Sequence, residues 1–145
     1  MFQFTVQAAG HSDVDAVCRI SQSVLNSEIP PDDLKKLYVE IIENVEQIVL
    51  KAINSKHTVG FIHARRVSDL VCGSYTEIVN IALLPYYQNR GGGTSLLLGV
   101  EQWSRQMLTP ELKCVKKNDN EAVRRLLKSC GYVQNGLGVF EKTIV

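Results

Sequence analysis

Gln88-Asn89-Arg90-Gly91-Gly92-Gly93-Thr94-Ser95 stands between a strand-like run, Tyr75 to Leu84, and a helix-like run, Thr94 to Met107. Three consecutive glycines at a helix entry let the backbone come very close to a ligand. The unpaired N–H groups and the positive dipole end of that helix then face the ligand, and both favour phosphate. The stretch reads as a pyrophosphate cradle and points to a nucleotide-type cofactor. A flexible helix-entry turn is the plainer reading of the same residues.

Which cradle it is can be narrowed. A Walker loop requires a glycine followed by Lys and a hydroxyl residue, and no glycine here has that context. A dinucleotide fingerprint is matched by Gly91 and Gly93, but Leu96 stands where its third glycine belongs. What remains is Q-x-x-G-x-G, carried by Gln88, Gly91 and Gly93.

At 145 residues the chain suits a single domain, taken as residues 1–145, with room for a proper core. Apolar content of 45% with 21% charged residues is that of a globular protein rather than a disordered or fibrous one. Net charge is only +1 and no basic stripe with interleaved aromatics occurs, which speaks against a nucleic-acid partner. Cys18, Cys72, Cys114 and Cys130 form no C-x-x-C pair and have no His at metal spacing, so they read as reduced, mostly buried thiols, with no metal site. Met1 to His11 lacks the basic and apolar regions of a signal peptide, and no long apolar run suggests a membrane span. The expectation is a soluble cytoplasmic protein with no membrane partner.

Periodicity orders the chain. Phe2 to Ala8 is a first strand, and Ser12 with Asp15 looks like a helix cap before Val14, Val17, Cys18 and Leu25. Pro30-Pro31-Asp32-Asp33 opens a second helix whose Leu34, Leu37, Tyr38, Ile41, Ile42 and Val45 keep helical spacing. Gln47 to Ile53 and Thr58 to Val67 read as a hairpin joined at Asn54-Ser55-Lys56-His57, followed by a loop, Ser68 to Ser74. After the cradle helix come a strand, Leu112 to Lys116, a helix, Asn120 to Cys130, its stop at Gly131, and two strands within Tyr132 to Val145. The order β-α-α-β-β-β-α-β-α-β-β predicts an α/β layout with a mixed sheet.

The cradle motif resembles the acetyl-CoA loop of the GNAT acetyltransferases, written Q/R-x-x-G-x-G/A, and the element order resembles the GNAT fold over nearly the whole chain. The resemblance implies acetyl-CoA as cosubstrate, bound through Gln88, Asn89, Arg90, Gly91, Gly92, Gly93, Thr94 and Ser95. It further implies that main-chain groups of Ile81, Ala82 and Leu83 pair with the pantetheine arm and polarise the acetyl carbonyl, which needs a strand splayed from its neighbour. Pro85 is consistent with pairing that ends there. Asn118 to Tyr132 resembles the family's second cofactor segment, with Asn120 as a CoA-contacting amide or an ordinary helix cap. Leu127 replaces the Tyr that commonly protonates the departing thiolate. A thiol of pKa about 8.5 can leave as the anion and take its proton from solvent. Tyr132 is a substitute donor or a core-facing aromatic.

Acetyl transfer to an amine also requires a base. Glu77 lies eleven residues before Gln88, the spacing of the catalytic glutamate in histone acetyltransferase-like members, and Glu77-Ile78-Val79 matches them locally. The plainer reading is a polar residue at the solvated start of a strand. His63 shares a face with Phe61 and Arg65 and is the backup base or a surface polar group. Glu28, Asp32, Asp33 and Glu40 either attract a cationic amine or serve the helix starts. The favoured activity is N-acetyl transfer from acetyl-CoA to a primary amine of a small molecule or a peptide or protein. A non-catalytic CoA- or acyl-CoA-binding module and a nucleotide-binding regulator are the competing readings. A homodimer, common among related enzymes, is a further expectation.

Overall fold

The computed structural model describes residues 2–115 and 120–144. The expected strand end at Lys116, the segment start at Asn118 and the final residue Val145 lie outside the described residues. In chain order the elements are β1 (Thr5–Ala8), α1 (Val14–Val24), α2 (Pro31–Glu43), β2 (Gln47–Asn54), β3 (His57–Asp69), β4 (Gly73–Leu83), α3 (Gly92–Gln106), β5 (Glu111–Cys114), α4 (Glu121–Ser129), β6 (Val133–Gln134) and β7 (Phe140–Thr143). This is the order expected from periodicity.

Local chemistry explains the boundaries. β1 begins at Thr5, not Phe2, and the Phe2 ring meets Tyr86 and Tyr87 edge-on at 5.7 Å. Ser12 does not cap α1; a turn at His11–Asp13 precedes it, and Asp13 Oδ2 accepts the Gly10 N–H at 2.8 Å. Pro31 opens α2 as expected, since its ring presets the helical φ and its missing N–H would be unpaired there. Ser55 and Lys56, with φ of 49° and 70°, make the tight two-residue turn between β2 and β3. The loop expected from Ser68 to Ser74 shrinks to Leu70, Val71 and Cys72, because Asp69 Oδ1 accepts the N–H groups of Val71 and Cys72 and closes the turn early.

The seven strands form one sheet in the order β1-β2-β3-β4-β5-β7-β6. Every neighbouring pair is antiparallel except β4 and β5, which are parallel. Their pairing is confined to Thr76 with Leu112 and Glu77 with Lys113. Opposite β3, the register of β4 shifts between His63 and Ala64, so Val79 is an extra residue that bends the strand just past this pairing.

Each sheet face has its own core. Ile62, Ala64, Ile78 and Ile81 pack with Leu96, Leu97 and Val100 of α3 and Leu127 of α4. Val49, Phe61 and Ala82 pack with Val17, Cys18 and Ile20 of α1 and Leu34 and Tyr38 of α2. The two faces follow from the two-residue alternation along β3 and β4. No helix among the described residues is long and apolar enough to cross a membrane. Two of the cysteines, Cys18 and Cys114, are buried, whereas Cys72 is exposed at the β3–β4 turn.

Candidate active site

Past Glu77, β4 keeps β3 on one edge, and on the other edge, among the described residues, its ladder with β5 ends at Glu77 with Lys113. A cavity of about 760 Å³ opens along that edge. Ile81, Ala82 and Leu83 form one wall, and Gln88, Asn89, Gly91, Gly93 and Thr94 form the end where α3 begins. Val24, Leu25 and Asn26 close it from the end of α1, and Asn120 with α4 closes the far side. The β4 wall and the N-terminus of α3 thus face one space. Such an arrangement holds an anion at the helix end and a strand-like arm along β4.

The cradle is built from three glycines that are needed for different reasons. Gly91 is the α3 N-cap with φ of 95°, a left-handed conformation that strains any side chain. A Cβ on Gly92 would sit 3.1 Å from the Leu83 side chain, and one on Gly93 2.6 Å from Leu126 Cδ2. Gly92 and Gly93 therefore let α3 start tight against β4 and α4, whereas Gly91 supplies the turn. The Gln88 side-chain amide donates to the Leu83 carbonyl at 2.9 Å, tying the loop to the strand end. Ser95 Oγ donates to the Gly91 carbonyl at 3.2 Å. Asn120 caps α4, its Oδ1 accepting the Ala122 N–H at 2.9 Å, and also lines the cavity.

Other expected site residues stand apart. Arg90 does not line the cavity: its guanidinium lies 4.4 Å over the Phe2 ring, and its Nε donates to the Tyr86 carbonyl at 2.9 Å. Gly92 and Ser95 also lie off the lining. Glu77 lies on the α1–α2 face of the sheet, where Arg65 Nη2 reaches its carboxylate oxygens at 3.2 and 3.4 Å. Its side chain is only 13% exposed, and it does not line the cavity. Asn80 and His63, cross-strand partners on the same face, stand between Glu77 and Ala82.

Leu127, which stands where the resemblance puts a Tyr, is 1% exposed inside the α3 core. Tyr132 is a core aromatic: its hydroxyl donates to Glu101 Oε2 at 3.1 Å, and Lys142 Nζ reaches the same carboxylate at 3.1 Å. Burial above all, then the Glu101 charge, pushes the Tyr132 hydroxyl far above its ordinary value.

Sequence reasoning missed Arg125, the cation that does line the cavity, together with Ala122, Val123, Leu126 and Ser129 beside it. Ala122, Arg125, Leu126 and Ser129 recur at i, i+3, i+4 and i+7, and this helical stripe was the signal that would have found the face. Among the described residues no group of His, Cys, Asp and Glu can hold a metal ion.

The comparisons agree with this fold. The model of the "Acetyltransferase (GNAT) family" matches residues 15–132. No curated protein sequence matches the chain. Among solved structures, the aminoglycoside N-acetyltransferase AAC(6')-Iy in complex with CoA is 16% identical, with a TM-score of 0.81 over 90% of this chain and 88% of that one. The PaiA N-acetyltransferase from Thermoplasma acidophilum in complex with coenzyme A is 15% identical, with a TM-score of 0.79 over 97% and 99%. AAC(6')-Iy in complex with a bisubstrate analogue, CoA-S-monomethyl-acetylneamine, is 17% identical, with a TM-score of 0.80 over 89% and 90%. These likenesses reflect a shared fold, and with the family match over most of its length the chain belongs to the GNAT acetyltransferase family.

Proposed function

We propose that the protein is an N-acetyltransferase that takes acetyl-CoA and transfers its acetyl group to a primary amine of a small molecule or peptide. The observation that carries this reading is the cavity between Ile81 to Leu83 of β4 and the glycine entry of α3. It offers main-chain donors along a cleft and an anion-binding helix end in one continuous space. Solved relatives of the same fold carry CoA or a CoA conjugate.

In this reading the N–H groups of Gly91, Gly93 and Thr94 receive the pyrophosphate, with Asn89, Asn120 and Arg125 flanking it, whereas the Ser95 N–H is taken by the Gly91 carbonyl at 3.1 Å. Gln88 holds the loop in place through Leu83. Main-chain groups of Ile81, Ala82 and Leu83 align the pantetheine arm, and an N–H of β4 aims at the thioester oxygen as charge builds there. Glu77 is the proposed base. At about 3.3 Å per residue it stands roughly 13 Å up the strand from Ile81, so it takes the amine proton through water rather than directly. The thiolate leaves unassisted, since a thiol pKa near 8.5 makes it a tolerable leaving group in water.

Calorimetry with CoA, followed by free-thiol release from acetyl-CoA with an amine panel, tests this. Micromolar CoA binding and amine-dependent thiol release are expected. Glu77→Gln is expected to cut the turnover by a factor on the order of 100 to 10,000 while leaving acetyl-CoA affinity within about twofold. Equal loss of both would rule out the base role. Leu127 supplies no phenol at the usual acid position, which favours one alternative, a non-catalytic CoA-binding module. That alternative predicts CoA binding with no thiol release for any amine.

A further inference from the structure

A second hollow, of about 270 Å³, shares the Leu25 wall with the cofactor cavity and lies between α1, α2 and strands β2 to β4. The two spaces also meet on β4, where Asn80 of the hollow adjoins Ile81 and Ala82 of the cavity. Val17, Leu34, Ile41, Val49 and Phe61 line its body. Ile29 and Leu37, apolar yet 39% and 40% exposed, stand at its mouth.

Its lining holds no Asp, Glu, Lys or Arg. The polar groups are modest and mostly engaged. The Tyr38 hydroxyl donates to the Gly10 carbonyl at 2.7 Å, and His63 Nε2 lies 2.6 Å from Gln47 Oε1. Burial pushes the Cys18 thiol up, which keeps it in its unreactive protonated form. Glu28, Asp32, Asp33 and Glu40 are exposed, and none of them lines the hollow.

We infer that this hollow receives the acceptor, and that the acceptor is a primary amine on an uncharged apolar body. The inference rests on the acetyltransferase reading above and adds the substrate class. An apolar body gains by leaving water for the Val17–Phe61 wall. Its amine end reaches Asn80 and His63, next to the β4 segment assigned to the acetyl group. A polycation would have to bury charges with no carboxylate to meet them, which is strongly unfavourable. At about 270 Å³ the hollow takes a small molecule or one side chain, below the usual range for drug-sized ligands.

The test uses the whole protein with saturating acetyl-CoA and two amine sets in the thiol-release assay. Hexylamine and phenethylamine represent apolar bodies, and spermidine and neamine represent polycations. The expected result is a kcat/KM at least roughly tenfold higher for the apolar set, about one factor of ten per 1.4 kcal/mol of discrimination. Preference for the polycations overturns the inference while leaving the acetyltransferase reading intact. Absence of CoA binding defeats that reading instead. Calorimetry of phenethylamine with the CoA-loaded protein supplies a readout independent of turnover, and no binding there also overturns the inference. Leu37→Glu at the exposed mouth should raise the KM for phenethylamine about tenfold without changing CoA affinity. An unchanged KM would place the amine elsewhere.

Discussion

Gly91, Arg125 and Arg90 show how closely function depends on single backbone and side-chain positions. Gly91→Ala forces a Cβ into a left-handed conformation and should cost about 1–2 kcal/mol, read as a lowered melting temperature and weaker CoA binding. Nothing lies within 4 Å of a Cβ there, so the cost is conformational and not steric. Arg125 and Arg90 differ in the opposite sense from their order of visibility in the sequence. Arg90 belongs to the motif, yet it is stacked on Phe2 and Tyr86, whereas Arg125 lines the cavity. Arg125→Ala is expected to weaken CoA binding roughly tenfold and to flatten its salt dependence, whereas Arg90→Ala should change affinity less. Calorimetry at two salt concentrations distinguishes them.

At the scale of elements, the site depends on how β4 is held at one end and released at the other. Its start is fastened to α3: Thr76 Oγ1 lies 2.6 Å from Ser104 Oγ and 2.9 Å from Thr109 Oγ1, all three side chains being buried. Ser104 also donates to the Thr109 carbonyl. Thr76→Val leaves two buried hydroxyls short of a partner and should destabilise the fold by about 1–3 kcal/mol in urea unfolding. Further along, Gly60 lets β3 approach β4 opposite Leu83; a Cβ there would lie 2.6 Å from the Ala82 carbonyl oxygen. Because that oxygen is backbone, Gly60→Ala must displace the cavity wall, and it should reduce CoA affinity as well as stability. The strand and the glycine-opened helix were legible in the sequence because each is set by local periodicity and φ preference. The short parallel ladder of β4 with β5 was not, since it depends on where β5 is carried by α3 and held by β7, far away in sequence.

At the scale of the molecule, two helical layers enclose one sheet, and the charges inside them govern the response to pH. Asp13 pairs with Lys51 at 2.7 Å while accepting the Gly10 N–H, both side chains being largely buried. Burial acts to raise its pKa, but the Lys51 hydrogen bond, the Gly10 N–H and the Lys51 charge outweigh it, leaving the pKa below 3.8. A lowered folded pKa contributes stability that is fully present above the unfolded value and is lost as pH falls through the folded one. Urea midpoints should therefore drop as pH falls below about 3.8, and Asp13→Asn should show a smaller drop over the same window. An equal drop in both proteins would assign the acid sensitivity to other carboxylates.

The chain's own order of residues was enough to place eleven elements, the glycine entry of α3 and the cap at Asn120, because alternation, helical spacing and turn chemistry act over a few residues. Which residues share the cavity was decided only by packing. Arg125 came to face the cleft, and Arg90 was taken up by an aromatic cluster that includes Phe2. The Q-x-x-G-x-G stretch marked where the site begins. The packing of α3 and α4 beside β4 gave it a depth, and the fold of α1 and α2 over the other face gave it a second, apolar side.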